Sequence, residues 1–164
     1  MEPLSFNAVA ANIGALGPRG QTRVDIRITR WSTDEERATL LEALKDTASR
    51  SVPDALRAQD AVGRFRQIQG LGHDLRYSRM IPGEDGGMQI ILATDRPIAF
   101  GEAARNTRSM DNNVSLIVMT LDAEGNGEGQ LLLGAEMTWN EEKNQLTIEN
   151  LSSEQGDAWH LFWR

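Results

Sequence analysis

Asn113-Val114-Ser115-Leu116-Ile117-Val118-Met119-Thr120-Leu121-Asp122 decides the architecture, because its centre is apolar at consecutive positions. Successive side chains of a strand point to opposite faces, so Leu116-Ile117-Val118-Met119 leaves neither face for water. Ile90-Ile91-Leu92-Ala93 and Leu131-Leu132-Leu133 repeat the pattern. Strands of this kind are covered on both sides. In an antiparallel meander one cover is a barrel interior, and the other is a helical pair or a partner subunit.

Upstream, the pattern is simpler. Leu4 to Ala10 reads as an extended segment, followed by a Gly/Pro-rich turn from Gly14 to Gly20. From Thr22 to Arg30 the chain alternates, with Val24, Ile26 and Ile28 on one face and Arg23, Asp25, Arg27 and Thr29 on the other. That is a strand with one wet face. Ser32-Thr33-Asp34-Glu35-Glu36 then changes the period. Ser32 with Glu35, or Thr33 with Glu36, forms a capping box, and the acids favour the positive end of a helix dipole. Leu40, Leu41 and Leu44 form the apolar stripe of a helix ending near Lys45. Ser51-Val52-Pro53-Asp54 opens a second, shorter helix through about Ala61, which Gly63 stops.

Beyond residue 63 the period is mostly two. Gly63 to Gln69 and His73 to Ile81 read as paired strands, Pro82 to Gly87 as a turn, and Gly87 to Thr94 as the returning strand. Pro97 to Asn106 reads as one or two helical turns. Asn113 to Asp122 and Gly129 to Trp139 are joined by a hairpin signal. Asn140 to Asn144 turns again, Gln145 to Asn150 continues the meander, and Ala158 to Trp163 is a final apolar strand. The reading is a single domain over residues 1–164, mainly antiparallel β: a small barrel-like meander of seven to nine strands with a two-helix insertion after the second strand. Closure also removes exposed edges. The alternative is an α+β sheet with helices on one face.

Composition narrows the function classes. A chain of 164 residues buries about 69% of its extended surface, enough for one core without staples. There are no cysteines, which excludes disulfides, thiol catalysis and Cys-held zinc or iron–sulfur sites. Lys+Arg 17 against Asp+Glu 24 leaves a net charge of −7, the wrong sign for a nucleic-acid binder. Arginine supplies 15 of the 17 cations, a bias that suits fixed ion pairs and oxyanion clamps and that a GC-rich coding sequence also produces. No stretch approaches the roughly 18 apolar residues of a membrane helix. Residues 1–20 also lack the charged start and apolar middle of a signal peptide.

Several segments carry a likeness: Ile28-Thr29-Arg30-Trp31-Ser32-Thr33-Asp34-Glu35-Glu36-Arg37, Leu71-Gly72-His73-Asp74-Leu75-Arg76-Tyr77, and Ile91-Leu92-Ala93-Thr94-Asp95-Arg96-Pro97-Ile98. With Ser109-Met110-Asp111 and Asp122 to Gly129, they resemble a family of uncharacterised bacterial proteins often made with an export signal. The resemblance implies a periplasmic or secreted home, with the signal absent from this chain. It carries no activity, so no catalytic residues transfer.

Candidate chemistry concentrates in His73 to Ile81. Strict alternation places His73, Leu75, Tyr77, Arg79 and Ile81 on one face. Turned into a barrel, His73, Tyr77 and Arg79 form a polar cluster on an apolar wall, the make-up of a small-molecule pocket. There Tyr77 orients a ligand, Arg79 clamps a carboxylate and His73 moves a proton. The plainer alternative leaves His73 and Arg79 at strand ends in solvent while Tyr77 packs. Trp159, Leu161 and Trp163 share one face of the last strand, with His160 and Phe162 opposite, which suits core packing, a ligand wall or an oligomer interface. Two histidines outside any metal-binding spacing leave no metal site to expect, and no cofactor motif is present. Asp122-Ala123-Glu124-Gly125-Asn126-Gly127-Glu128 spaces oxygens like the start of a calcium loop, but Leu133 occupies the position of the bidentate glutamate, which favours a hairpin. Asp95-Arg96 reads as a strand-end clamp or a local ion pair.

Three functions follow. The first is a small-molecule-binding β-barrel module taking an apolar or anionic ligand at His73, Tyr77 and Arg79. The second is an enzyme using the same cavity, with His73, Asp74, Asp95 or Glu102 as acid or base. The third is a structural homo-oligomer.

Overall fold

The alternation of Val24, Ile26 and Ile28 becomes strand β2 (Gln21–Ile28), whose apolar side chains are fully buried while Arg23 and Arg27 are exposed. A computed structural model of the protein describes residues 2–11, 21–45, 51–68, 70, 72–95, 114–132, 137–140, 142–143, 145–148 and 158–163. The expected helical turns at Pro97 to Asn106, and Glu102 with them, lie outside the described residues.

The remaining strands are β1 (Leu4–Ala11), β3 (Gly63–Gln67), β4 (Gly72–Leu75), β5 (Tyr77–Pro82), β6 (Met88–Thr94), β7 (Ser115–Leu121), β8 (Gly127–Leu132), β9 (Met137–Asn140), β10 (Gln145–Ile148) and β11 (Ala158–Trp163). Helices α1 (Asp34–Lys45) and α2 (Ser51–Arg57) intervene between β2 and β3, as the sequence predicts. Nine strands form one antiparallel, nearly closed, barrel-like sheet in the order β4-β3-β2-β1-β11-β8-β7-β6-β5. The final strand meets the first: Val9 pairs with Phe162 and Ala10 with Leu161.

The two ends of that order are consecutive in the chain. Only Arg76 separates β4 from β5, so one extended segment pairs with β3 through its first half and with β6 through its second. Val62 N donates to Leu75 O and Arg76 N to Ala93 O, both at 2.8 Å, which ties the junction to both neighbours. Counting that segment once leaves eight positions around the ring (nine strands, less one). A ring of about eight strands has an interior that side chains just fill.

Among the described residues, the side chains clustered in the interior are apolar and buried. Val24, Ile26, Ile28, Phe65, Leu75, Ile90, Leu92, Ile117, Met119, Leu131 and Leu161 form one cluster, each at most 1% exposed. A second cluster lies on the outer wall. Leu40 of α1 and Leu56 of α2 pack on Ala93, Leu116 and Leu132 beside Tyr77. The helical pair is therefore the second cover that the doubly apolar strands require.

Local chemistry sets the helix ends. Thr33 and Glu36, rather than Ser32 and Glu35, form the capping box: Thr33 N donates to Glu36 Oε2 at 2.8 Å and Glu36 N donates to Thr33 Oγ1 at 3.1 Å. Helix α2 ends at Arg57, short of the predicted Ala61. Gln59 N bonds Leu56 O in a tightened last turn, and Gln59 Nε2 donates to Glu36 O at 2.9 Å, anchoring the following chain to α1. The run read as Gly129 to Trp139 is divided. Strand β8 stays in the barrel, whereas β9 pairs with β10 in a separate two-stranded sheet.

Candidate functional site

Alternation along His73 to Ile81 fails at Arg76, and this corrects the expected pocket wall. His73 pairs with Phe65 on the core side of the wall, and Leu75 is wholly buried in the interior cluster. Tyr77 pairs with Ala93 and packs in the outer cluster under the helices. Ser78 pairs with the interior residue Leu92, so Arg79, opposite Ile91, lies on the outer side with Tyr77. A residue inserted between two ladders shifts the phase by one, and everything after it changes face. His73 is thus on the opposite face of the wall from Tyr77 and Arg79. All three are half-buried.

The junction is held by charge. The Asp95 side chain is 6% exposed and lies between two guanidinium groups, 3.5 Å from Arg57 Nε and 3.8 Å from Arg76 Nε. Arg76 also donates from Nη1 to Gln59 O at 2.9 Å and faces Asp74 at 3.6 Å. Ser78 fastens the segment to the chain leaving β2: its hydroxyl donates to Arg30 O at 2.8 Å, and its N–H donates to Ser32 Oγ at 3.0 Å. Arg30 in turn donates to both Glu36 oxygens at 2.9 Å, a bidentate pair. That bond, chiefly, holds the Glu36 carboxyl below the ordinary range and raises the Arg30 guanidinium. Asp95, one of the carboxylates proposed as acid or base, is thereby engaged in tying α2 and β6 to the β4–β5 junction.

A different place offers open space. A groove of about 640 Å³ where β1, β11 and β8 adjoin is lined by Asn7, Val9, Gly127, Glu128, Phe162 and Trp163. Val9 and Phe162, direct cross-strand partners, are 37% and 42% exposed. Glu128 pairs with Phe162 on the next strand and is exposed. Trp163, on the interior side of β11 with Leu161, also borders the groove: it is buried, meets Phe6 edge-on with ring centres 5.9 Å apart, and donates Nε1–H to Gly125 O at 3.2 Å. Gly129 makes the close packing feasible, since a Cβ there would stand 2.7 Å from Val118 O and 3.3 Å from the Trp163 ring. Such a groove can take an apolar body against Val9 and Phe162 and a donor or cation at Glu128 or Asn7.

Of the other predicted features, Asp122 Oδ1 accepts from the N–H groups of Glu124 and Asn126, closing the hairpin that the calcium-like spacing also allowed. Among the described residues no cluster of potential metal ligands occurs, and no helix is long and apolar enough to cross a membrane. In the last strand, Leu161 and Trp163 are buried and Phe162 is exposed, the division its alternation predicts. His160 pairs with Ala11 and Gln130, and its side chain lies outside the described residues. The class reached is a packed antiparallel barrel with a helical cover and an open outer groove. No family model, curated protein or solved structure matches the chain.

Proposed function

We propose that the protein is a binding module in which the packed barrel is a rigid support and the groove over β8, β11 and β1 takes a small, partly apolar ligand. The observation that carries this reading is the pairing of Val9 with Phe162, two large apolar side chains left exposed side by side in a concave part of the wall. Its volume lies in the range of roughly 300–1,000 Å³ usual for small-molecule sites, with a mainly apolar lining and few polar groups. The cluster of buried apolar side chains inside the ring supports an outer rather than an inner site, because a ligand among them would have to displace core side chains at roughly 1.5–3 kcal/mol each.

A residue-resolved NMR titration with undecanoate and undecylamine tests the proposal. Amide shifts should centre on Asn7, Val9, Glu128 and Phe162 and weaken in Phe162→Ala. Shifts elsewhere, or none, would refute the groove as the site.

A further inference from the structure

We infer that the groove, extended across β2 to Arg23 beyond its lining, selects an elongated zwitterion, with a cationic group at one end, an anionic group at the other and an apolar body between; this rests on reading the groove as a binding surface. The inference comes from one cross-strand row. Glu128 pairs with Phe162, Phe162 with Val9, and Val9 with Arg23, on strands β8, β11, β1 and β2. Cross-strand partners share a face, so the outer wall reads acid, aromatic, aliphatic, guanidinium. Three strand spacings of about 4.8 Å put the ends of the row about 14 Å apart at the backbone.

The two terminal charges are open to a ligand. Glu128 and Arg23 are both exposed, and among the described residues neither forms an ion pair. The nearest acid on Arg23's own strand face, Asp25, is taken by Arg66 at 3.1 Å. An ammonium group fits Glu128, with Asn7 in the same lining, and a carboxylate fits the planar donors of Arg23. An alkyl or aryl chain between them covers Phe162 and Val9. Exposed ion pairs are individually weak, so each charged end adds about two- to fivefold in affinity. Salt reduces that gain, because it acts at the surface.

The test compares ω-aminoundecanoate with undecanoate, undecylamine and the short zwitterion β-alanine, each below its micelle concentration, by calorimetry and NMR titration. The expected result is tighter binding of ω-aminoundecanoate than of either singly charged chain, with β-alanine too short to bind. Arg23→Gln should abolish its advantage over undecylamine, and Glu128→Gln its advantage over undecanoate. Equal affinities for the three long chains, unchanged in both variants, would overturn the inference while leaving the groove reading intact. Failure of every long chain to bind would remove the groove reading itself. Light scattering that finds a dimer broken by Arg23→Gln or Glu128→Gln would also overturn the inference, since the row would then be reading a second copy.

Discussion

Leu75 and Tyr77 are two residues apart yet lie on opposite sides of the barrel wall, one in the interior cluster and the other under the helices. The extra residue between them, Arg76, is where the two ends of the sheet share one segment. Its side chain bonds Gln59 O and faces the buried Asp95, joining α2, β6 and the junction.

Arg76→Met, which keeps length but not charge, should therefore lower stability by about 2–3 kcal/mol. That is less than the roughly 3–5 kcal/mol typical of a broken buried pair, because Arg57 still faces Asp95. Urea unfolding measures the loss. A change within about 0.5 kcal/mol, as at a neutral surface site, would mean the junction is held by backbone pairing alone.

Glu36 unites the helix cap with the Arg30 pair, so Glu36→Gln should cost about 1–2 kcal/mol at neutral pH. The folded carboxyl titrates below its ordinary value of 4.5, chiefly because Arg30 bonds it. A depressed carboxylate contributes stability above the unfolded value and loses it as pH falls through the folded one. The gap between the native protein and the variant should thus be full at neutral pH and close as pH falls below 4.5. Unfolding curves across that range check it, and a pH-independent gap would contradict the ion-pair account.

Leu56 is the fully buried contact of α2 with the outer wall. Leu56→Ala should cost about 2–5 kcal/mol, the usual range for a leucine deleted from a packed site. Hydrogen exchange should localise the loosening to α1, α2 and the outer face of β6–β8. Uniform loosening of the whole barrel would instead show that the cover and the ring unfold as one unit.

At Gly127 an added Cβ would collide with the Thr120 carbonyl across the β7–β8 ladder. Gly127→Ala should therefore lose about 1–3 kcal/mol through a forced backbone shift. It should also weaken groove binding, because Gly127 lines the groove and pairs with Trp163. Calorimetric melting and the undecylamine titration measure the two effects.

Much of the fold was legible because local and global signals agree. The two-sided apolar runs of β6 and β7 required two covers, and Ser32-Thr33-Asp34-Glu35-Glu36, with two possible capping boxes, marked the start of α1, one of the elements that supplies the outer one. The face of Tyr77 and Arg79 was not legible, since a one-residue phase shift at Arg76 depends on pairing with both β3 and β6. The groove was hidden for a similar reason. Val9 reads as an ordinary strand residue until β11, some 150 positions later, brings Phe162 beside it, with Glu128 of β8 on the far side of Phe162. The one local hint was that Val9 is apolar on the face opposite Ala8 and Ala10.

The central claim is that the packed barrel displays its binding surface outside, over Val9 and Phe162. The most direct measurement is an intermolecular NMR contact map between bound undecylamine and the methyl and aromatic protons of the protein. The account predicts contacts from the alkyl chain to Val9 and Phe162, with none to Ile90, Ile117 or Met119 of the interior. Contacts to those interior side chains would contradict it.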